Sequence, residues 1–201
     1  MRKYGRSGWF NDSHRHYLAS KGISTKHKYF MPVRTGGEMR LQKHSGSKKF
    51  VDMFNENTFE KGRNKGSKPE MGVLWTSSIR DDIDGGKTDW EEFVDSEQFD
   101  KPIKDSFVVA PEDDAKILSI ESEDDLQFLQ ENYASSGPED FVVIDWDAVS
   151  KDYDAVHVSE EAARELKLAG VANNSATLDG WDVESTAWFR KKFKVYEDED
   201  A

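Results

Sequence analysis

What most constrains this chain is the way its charge is divided along its length. Of its 28 Lys and Arg residues, 16 lie in positions 1–70, alongside 6 of its 40 Asp and Glu residues, a local balance of +10. Positions 71–201 carry the other 12 basic and 34 acidic residues, a balance of −22. Such asymmetry suggests an arm that seeks an anionic surface and a body that repels one; the plain alternative is a basic tail that folds back on its own acidic domain. At 201 residues, with 36% of them hydrophobic, the chain has material for one core and an appendage, not for two cores. The reading is an α+β fold: a single mixed-sheet domain over 38–196, acidic from about residue 71. A basic N-terminal arm over 1–37 precedes it and an acidic tail over 197–201 follows.

The arm contains one helical signal. Asp12 or Ser13 is a good N-cap, Gly22 a good terminator, and Phe10, His14, Tyr17 and Lys21 recur at helical spacing. A helix this short needs a partner surface to persist. Positions 23–37, polar, basic and broken by Pro32 and Gly36-Gly37, read as an extended connector. A strand is predicted over 39–44, a helix over 45–59 and a loop over 60–70. A chain lacking residues 1–45 is accordingly expected to stay folded and to lose its partner.

The acidic part alternates irregularly. Strands are predicted over 71–78, 107–110, 116–120, 141–144 and 155–158, and 181–193 is strand-like in its middle. Positions 81–87 read as a turn-rich loop, and 88–96 as a capped helix. Ser122 caps a helix with Leu126, Leu129 and Tyr133 as its buried stripe, ended by Ser135-Ser136-Gly137-Pro138. Short helices follow over 147–150 and 160–168. This order fits α+β and not a regular βαβ repeat.

Several chemistries are excluded. The chain has no cysteine, so disulfides, thiolate nucleophiles and thiolate zinc sites fall away. His14 and His16 point to different sides of a helix, and His27 and His44 have no acidic partners at ligand spacing, so no metal is expected. No Gly-rich phosphate loop or nucleophile elbow is present. No apolar leader opens the chain and no stretch approaches the roughly 18 apolar residues of a membrane span, so synthesis in a host cytoplasm and no membrane partner are expected.

Three segments hold the chemistry: Met39-Arg40-Leu41, then Leu74-Trp75-Thr76-Ser77-Ser78, then Trp181-Asp182-Val183-Glu184-Ser185-Thr186-Ala187-Trp188-Phe189. An Arg on a first strand, a Ser/Thr strand and an acidic-x-Glu strand, in that chain order, resemble arginine-type ADP-ribosyltransferases. The resemblance implies that Arg40 holds the phosphates of NAD and that Thr76 or Ser77 braces a catalytic Glu184. Glu184 would hydrogen-bond the nicotinamide ribose as positive charge develops there. Trp75 and Trp188 are the aromatic candidates for the dinucleotide, Trp188 flanking the nicotinamide. Arg40 is followed by Leu where that pattern prefers Gly, and the serine strand reads Thr-Ser-Ser. The plain alternative for Glu184 is a surface pair with Arg190.

The wider pattern resembles proteins of tailed phages, prophages and archaeal viruses over roughly residues 68–190. It is carried by Lys68-Pro69 before Gly72-Val73-Leu74-Trp75-Thr76-Ser77, by Ile144-Asp145-Trp146, and by Asp152-Tyr153-Asp154-Ala155-Val156. The resemblance implies a virion-associated structural protein, a minor head, portal or neck component present in several copies. The arm would bind capsid, portal or adaptor protein, or the backbone of packaged DNA, through Trp9, Phe10, His14, Arg15, Tyr17, Lys21, Lys26, Lys28 and Arg34. On that reading no cofactor is needed. The alternatives are an NAD-dependent mono-ADP-ribosyltransferase of viral origin and a non-specific nucleic-acid-binding accessory protein. An active transferase needs Arg40, Thr76 or Ser77, and Glu184 to converge on one cleft; the expectation is instead a transferase-like fold retained for structural work, with the strands at Thr76 and Glu184 together and the cleft between them shallow or filled by side chains or the arm.

Overall fold

The computed structural model describes residues 33–55, 58–80, 86–97, 105–137, 142–166 and 178–196. The arm helix and the partner-binding residues Trp9 to Lys28 lie outside them, as does the acidic tail. The described chain is a mixed α+β fold built on one large curled sheet. Its strands are β1 (Val33–Thr35), β2 (Gln42–Ser45), β4 (Leu74–Ser78), β5 (Ser106–Pro111), β6 (Lys116–Ile120), β9 (Ala155–Val158), β10 (Ser185–Trp188) and β11 (Phe193–Val195). They run in the order β1-β6-β9-β10-β4-β2-β5-β11. All neighbours pair antiparallel except β6 and β9, which are parallel. A small antiparallel sheet packs beside it, ordered β3 (Lys65–Gly66), β8 (Val142–Asp145), β7 (Ala134–Ser136).

Helices follow their caps. The Thr88 hydroxyl accepts the Glu91 N–H at the start of α2 (Asp89–Ser96), Ser122 does the same for Asp125 in α3 (Glu123–Tyr133), and Ser159 for Ala162 in α5 (Glu160–Glu165). These bonds satisfy orphan N–H groups of the first turn. The others are α1 (Lys48–Met53) and α4 (Trp146–Asp152). Within the long loop before β4, buried Asn64 donates to the carbonyls of Glu60 and Met71 and accepts from the N–H groups of Glu70 and Met71. Gly72 closes that loop at φ +73°, where a Cβ would collide with the Thr58 carbonyl.

Alternation along the central strands builds two cores. One face sends Leu118 and Ile120, Val156 and Val158, and Ala187 against α3, α4 and the small sheet, where Leu126, Leu129, Ile144 and Trp146 complete the main cluster. The other face sends Ile117, Ala155, Trp188 and Leu74 into the inside of the curl, closed by Val51 and Phe54 of α1 and its cap.

Several expectations give way here. Residues 33–38 are not connector: β1 pairs with β6 through Val33↔Leu118 and Thr35↔Lys116, and a 3-10 turn follows at Gly36–Glu38. Backbone pairing with a strand some 80 positions away decided this, against local Gly signals. The body therefore already includes Val33, and removing residues 1–45 would take out β1 and also β2, which lies between β4 and β5. The helix expected over 45–59 is confined to Lys48–Met53, and the segment after α3 enters β7 instead of simply ending the helix.

Candidate functional site

On the inner face of the curl the strands change character toward one end. The row Ile117, Ala155, Trp188, Leu74 is apolar. Two residues along each strand, the register aligns Ser119 with His157, His157 with Thr186, and Thr186 with Thr76. All four are buried. Beyond this polar row, at the C-terminal end of β4, lies Glu184, one residue ahead of β10 and only 6% exposed.

Three donors hold its carboxylate. Oε2 accepts the Ser77 hydroxyl at 2.7 Å and the Ser78 N–H at 2.8 Å, and Oε1 accepts the Ser78 hydroxyl at 2.8 Å. Burial raises the Glu184 pKa, while the hydrogen bonds from Ser77 and Ser78 oppose that rise by favouring the anion. His157 Nδ1 lies 3.0 Å from the Thr186 hydroxyl and 3.4 Å from Glu184 Oε1. Burial, helped by the nearby Arg34 charge, pushes its pKa down to about 3. The imidazole is thus neutral at neutral pH, and its contact with Glu184 is not an ion pair.

Above Glu184 opens a cleft of about 500 Å³, lined by Arg34, Arg40, Arg80, Asp89 and His157 among others. Strand order brings the cations there. Arg40 stands just ahead of β2, whose first residue pairs Gln42↔Ser78, so the start of β2, the end of β4 and the start of β10 meet at one edge. Arg34, on β1, pairs with Glu121, and Arg80 pairs with Asp89 at 3.0 Å and Glu92 at 3.4 Å. Arg40 is exposed and makes no ion pair among the described residues. A concave site with cations over a hydrogen-bonded carboxylate suits a ligand that carries anionic groups at one end and develops positive charge at the other.

The sequence-derived candidates divide accordingly. Arg40 and Glu184 line one cleft, Ser77 bonds Glu184 but lines the neighbouring cavity, and the Thr76 and Glu184 strands are direct neighbours through Thr186↔Thr76. The described side chains leave a cleft of about 500 Å³ over Glu184, and the arm, the other expected filler, lies outside the described residues. Thr76 does not brace Glu184: its hydroxyl donates to Gln42 Oε1 and accepts from Trp188 Nε1. Ser78, one residue outside the expected pair, takes that place. Trp188 is fully buried against Phe193, with ring centroids 5.1 Å apart, and cannot flank a ligand. Trp75 points to the opposite face, edge-on to Trp181 at 4.8 Å, and lines a separate cavity of about 280 Å³. Asp182 lines that same cavity and not the Glu184 cleft.

Arg190 does not pair with Glu184; it engages Asp154 at 3.3 Å and the Ser150 and Tyr153 carbonyls. Arg34, assigned to partner binding, lies on the cleft wall. Ser78, His157 and Gln42 were missed. Only His157 carried a signal, a polar residue inside the otherwise apolar strand Ala155-Val156-His157-Val158; Gln42 and Ser78 lie among other polar residues of their strands. Comparison with family models, with curated protein sequences and with solved structures finds no match to this chain.

Proposed function

We propose that the acidic domain cleaves NAD and transfers its ADP-ribose to an acceptor, as a mono-ADP-ribosyltransferase of viral origin. The observation that carries this is the side-by-side order of β2, β4 and β10, which sets Arg40, Ser78 and Glu184 on one cleft and puts Ser77 in hydrogen-bond contact with the Glu184 carboxylate. That is the arrangement which the resemblance to arginine-type transferases implies. Arg40, with Arg34 and Arg80 beside it, offers cationic partners for a pyrophosphate. A volume of about 500 Å³ is within the range of cofactor-sized sites.

In the reaction the bond between nicotinamide nitrogen and ribose C1′ breaks, and its electron pair leaves with nicotinamide. Positive charge spreads over C1′ and the ring oxygen. The acceptor then adds a lone pair to C1′ and gives up its proton. Glu184 is the charge that matches this development, and Ser77 and Ser78 fix it in place before the substrate arrives. His157 stays neutral, so no second cation competes beside the ribose.

The test is NAD turnover, read as nicotinamide release or as transfer of labelled ADP-ribose, in the wild type and in Arg40→Ala. Turnover is expected in the wild type. Loss of one charge-assisted phosphate contact, about 1.5–3 kcal/mol, should raise KM about 10- to 100-fold in Arg40→Ala with kcat less affected. Absence of turnover in the wild type would remove the proposal.

A second reading, a virion-associated interaction protein tethered by its basic arm to capsid, portal or DNA backbone, is supported by the +10 and −22 charge division. The two readings are compatible, because the arm and the cleft are different parts of the chain.

A further inference from the structure

Five side chains form one continuous hydrogen-bonded line from the inner core to Glu184. Trp188 Nε1 lies 3.0 Å from Thr76 Oγ1, and Thr76 Oγ1 lies 3.0 Å from Gln42 Oε1. Gln42 Nε2 lies 2.8 Å from Ser78 Oγ, which lies 2.8 Å from Glu184 Oε1. Gln42 is fully buried, Thr76 is 3% exposed and Trp188 is fully buried, so solvent does not offer these groups substitutes.

The chemistry of the two ends sets the direction of every proton between them. An indole N–H can only donate, so Thr76 accepts from Trp188 and its own proton goes to Gln42 Oε1. The Gln42 amide is thereby oriented with its NH₂ toward Ser78, whose oxygen accepts it. The one remaining proton, that of Ser78, then points to Glu184 Oε1. A carboxylate only accepts, so the line closes without a mismatch. Buried polar side chains of this kind add little net stability compared with an apolar strand interior, and here they replace one on β2, β4 and β10.

We infer that Gln42 is a positioning residue: through Ser78 it holds the Glu184 carboxylate in place and keeps a hydroxyl proton directed at it. Trp188 and Thr76 fix Gln42 in the amide orientation this requires. Gln42 itself touches no substrate; its effect passes through Ser78. The inference gives the proposed transferase site its orienting device, and takes its catalytic meaning from that proposal, but its physical content can be measured without NAD.

The experiment is a ¹³C NMR titration of the Glu184 carboxyl in the full-length chain, assigned by comparison with Glu184→Gln. Gln42→Leu removes the donor to Ser78 and frees its hydroxyl to turn. Weakening one hydrogen bond to a buried carboxylate by about 1.4 kcal/mol should raise the Glu184 midpoint by about one pH unit. Thr76→Val, which keeps the shape and removes the hydroxyl, should raise it by less. Thr76→Ser restores the hydroxyl and should leave it in place. The charged groups sharing the cleft are Arg34 of β1, Glu38 and Arg40 ahead of β2, Arg80 and Asp89 around the start of α2, and Glu160 of α5. None is altered by these changes, and His157 is neutral over the rise.

A purely structural role would lower the unfolding temperature of Gln42→Leu and leave the midpoint where it was, and that result would overturn the inference. If Gln42→Leu does not fold, the Thr76→Ser and Thr76→Val pair decides, and equal midpoints in the two would overturn it. A moved midpoint without NAD turnover in the wild type would sustain the orienting line and remove the transferase. Turnover with an unmoved midpoint would do the opposite.

Discussion

The two faces of strands β6, β9, β10 and β4 are made by the same backbone, yet they differ in what they contribute. The outer face, through Leu118, Val156 and Ala187, is apolar where it meets the helices, with Ser77 and Ser185 at the end near Glu184. The inner face begins the same way, at Ile117, Ala155 and Trp188, and then switches to Ser119, His157, Thr186 and Thr76. Folding gains nothing obvious from that switch, since buried polar groups at best recover the solvation they lose. Apolar burial makes the sheet; the polar end of the inner face makes the site. Along β6 and β9 stability and function are separated by residue parity; on β4 they are not, because Ser77, with the parity of Trp75, also holds Glu184.

The largest consequence is acid sensitivity located at His157. In the folded chain its pKa lies at about 3, against 6.5 for an ordinary histidine. The unfolded chain therefore binds a proton at pH 6.5 that the folded chain refuses until about pH 3, so stability falls as pH drops through that window. At about 1.4 kcal/mol per unit, the loss attributable to this group is on the order of 4–5 kcal/mol. His157→Asn, which keeps a polar atom near Thr186, should flatten the acid limb of a denaturant-midpoint against pH curve by that order. Parallel curves for the two proteins would show that the inner face is not as closed as described.

A smaller effect sharpens the comparison at two adjacent positions of β6. Leu118 is fully buried in the outer core, and Leu118→Ala should cost about 2–5 kcal/mol in chemical denaturation. Ser119, next to it and also buried, donates to Glu121 Oε1 at 2.7 Å, and Ser119→Ala should cost about 1 kcal/mol or less. Equal costs would mean that the polar row supports the fold as much as the apolar one does.

Much of the body was legible where local signals and tertiary pairing agree. Strands over 116–120 and 155–158 appear at those bounds, and the caps at Thr88 and Ser122 start the helices that follow them. What escaped was decided by pairing at long range. β1 exists because β6 offers it a ladder, not because Val33-Arg34-Thr35 asks for one. The site shows the same limit on a finer scale. Arg40, Ser77 and Glu184 came from the family resemblance that their chain order carries. Whether Thr76 or Ser78 reaches Glu184, and whether Trp188 faces a cleft or a core, depends on register, and a shift of one residue changes the face. Gln42 and His157 needed both the register and the direction of each hydrogen bond.

The account as a whole stands on Glu184 being the charge that the inner face exists to present. The most direct measurement is kcat for NAD cleavage in Glu184→Gln beside the wild type, with the NAD dissociation constant measured for both. The substitution keeps the shape of the side chain and removes its charge. The account expects binding to change little and kcat to fall by at least about 100-fold, the scale of losing one preorganised electrostatic group. Equal kcat in the two proteins would contradict it.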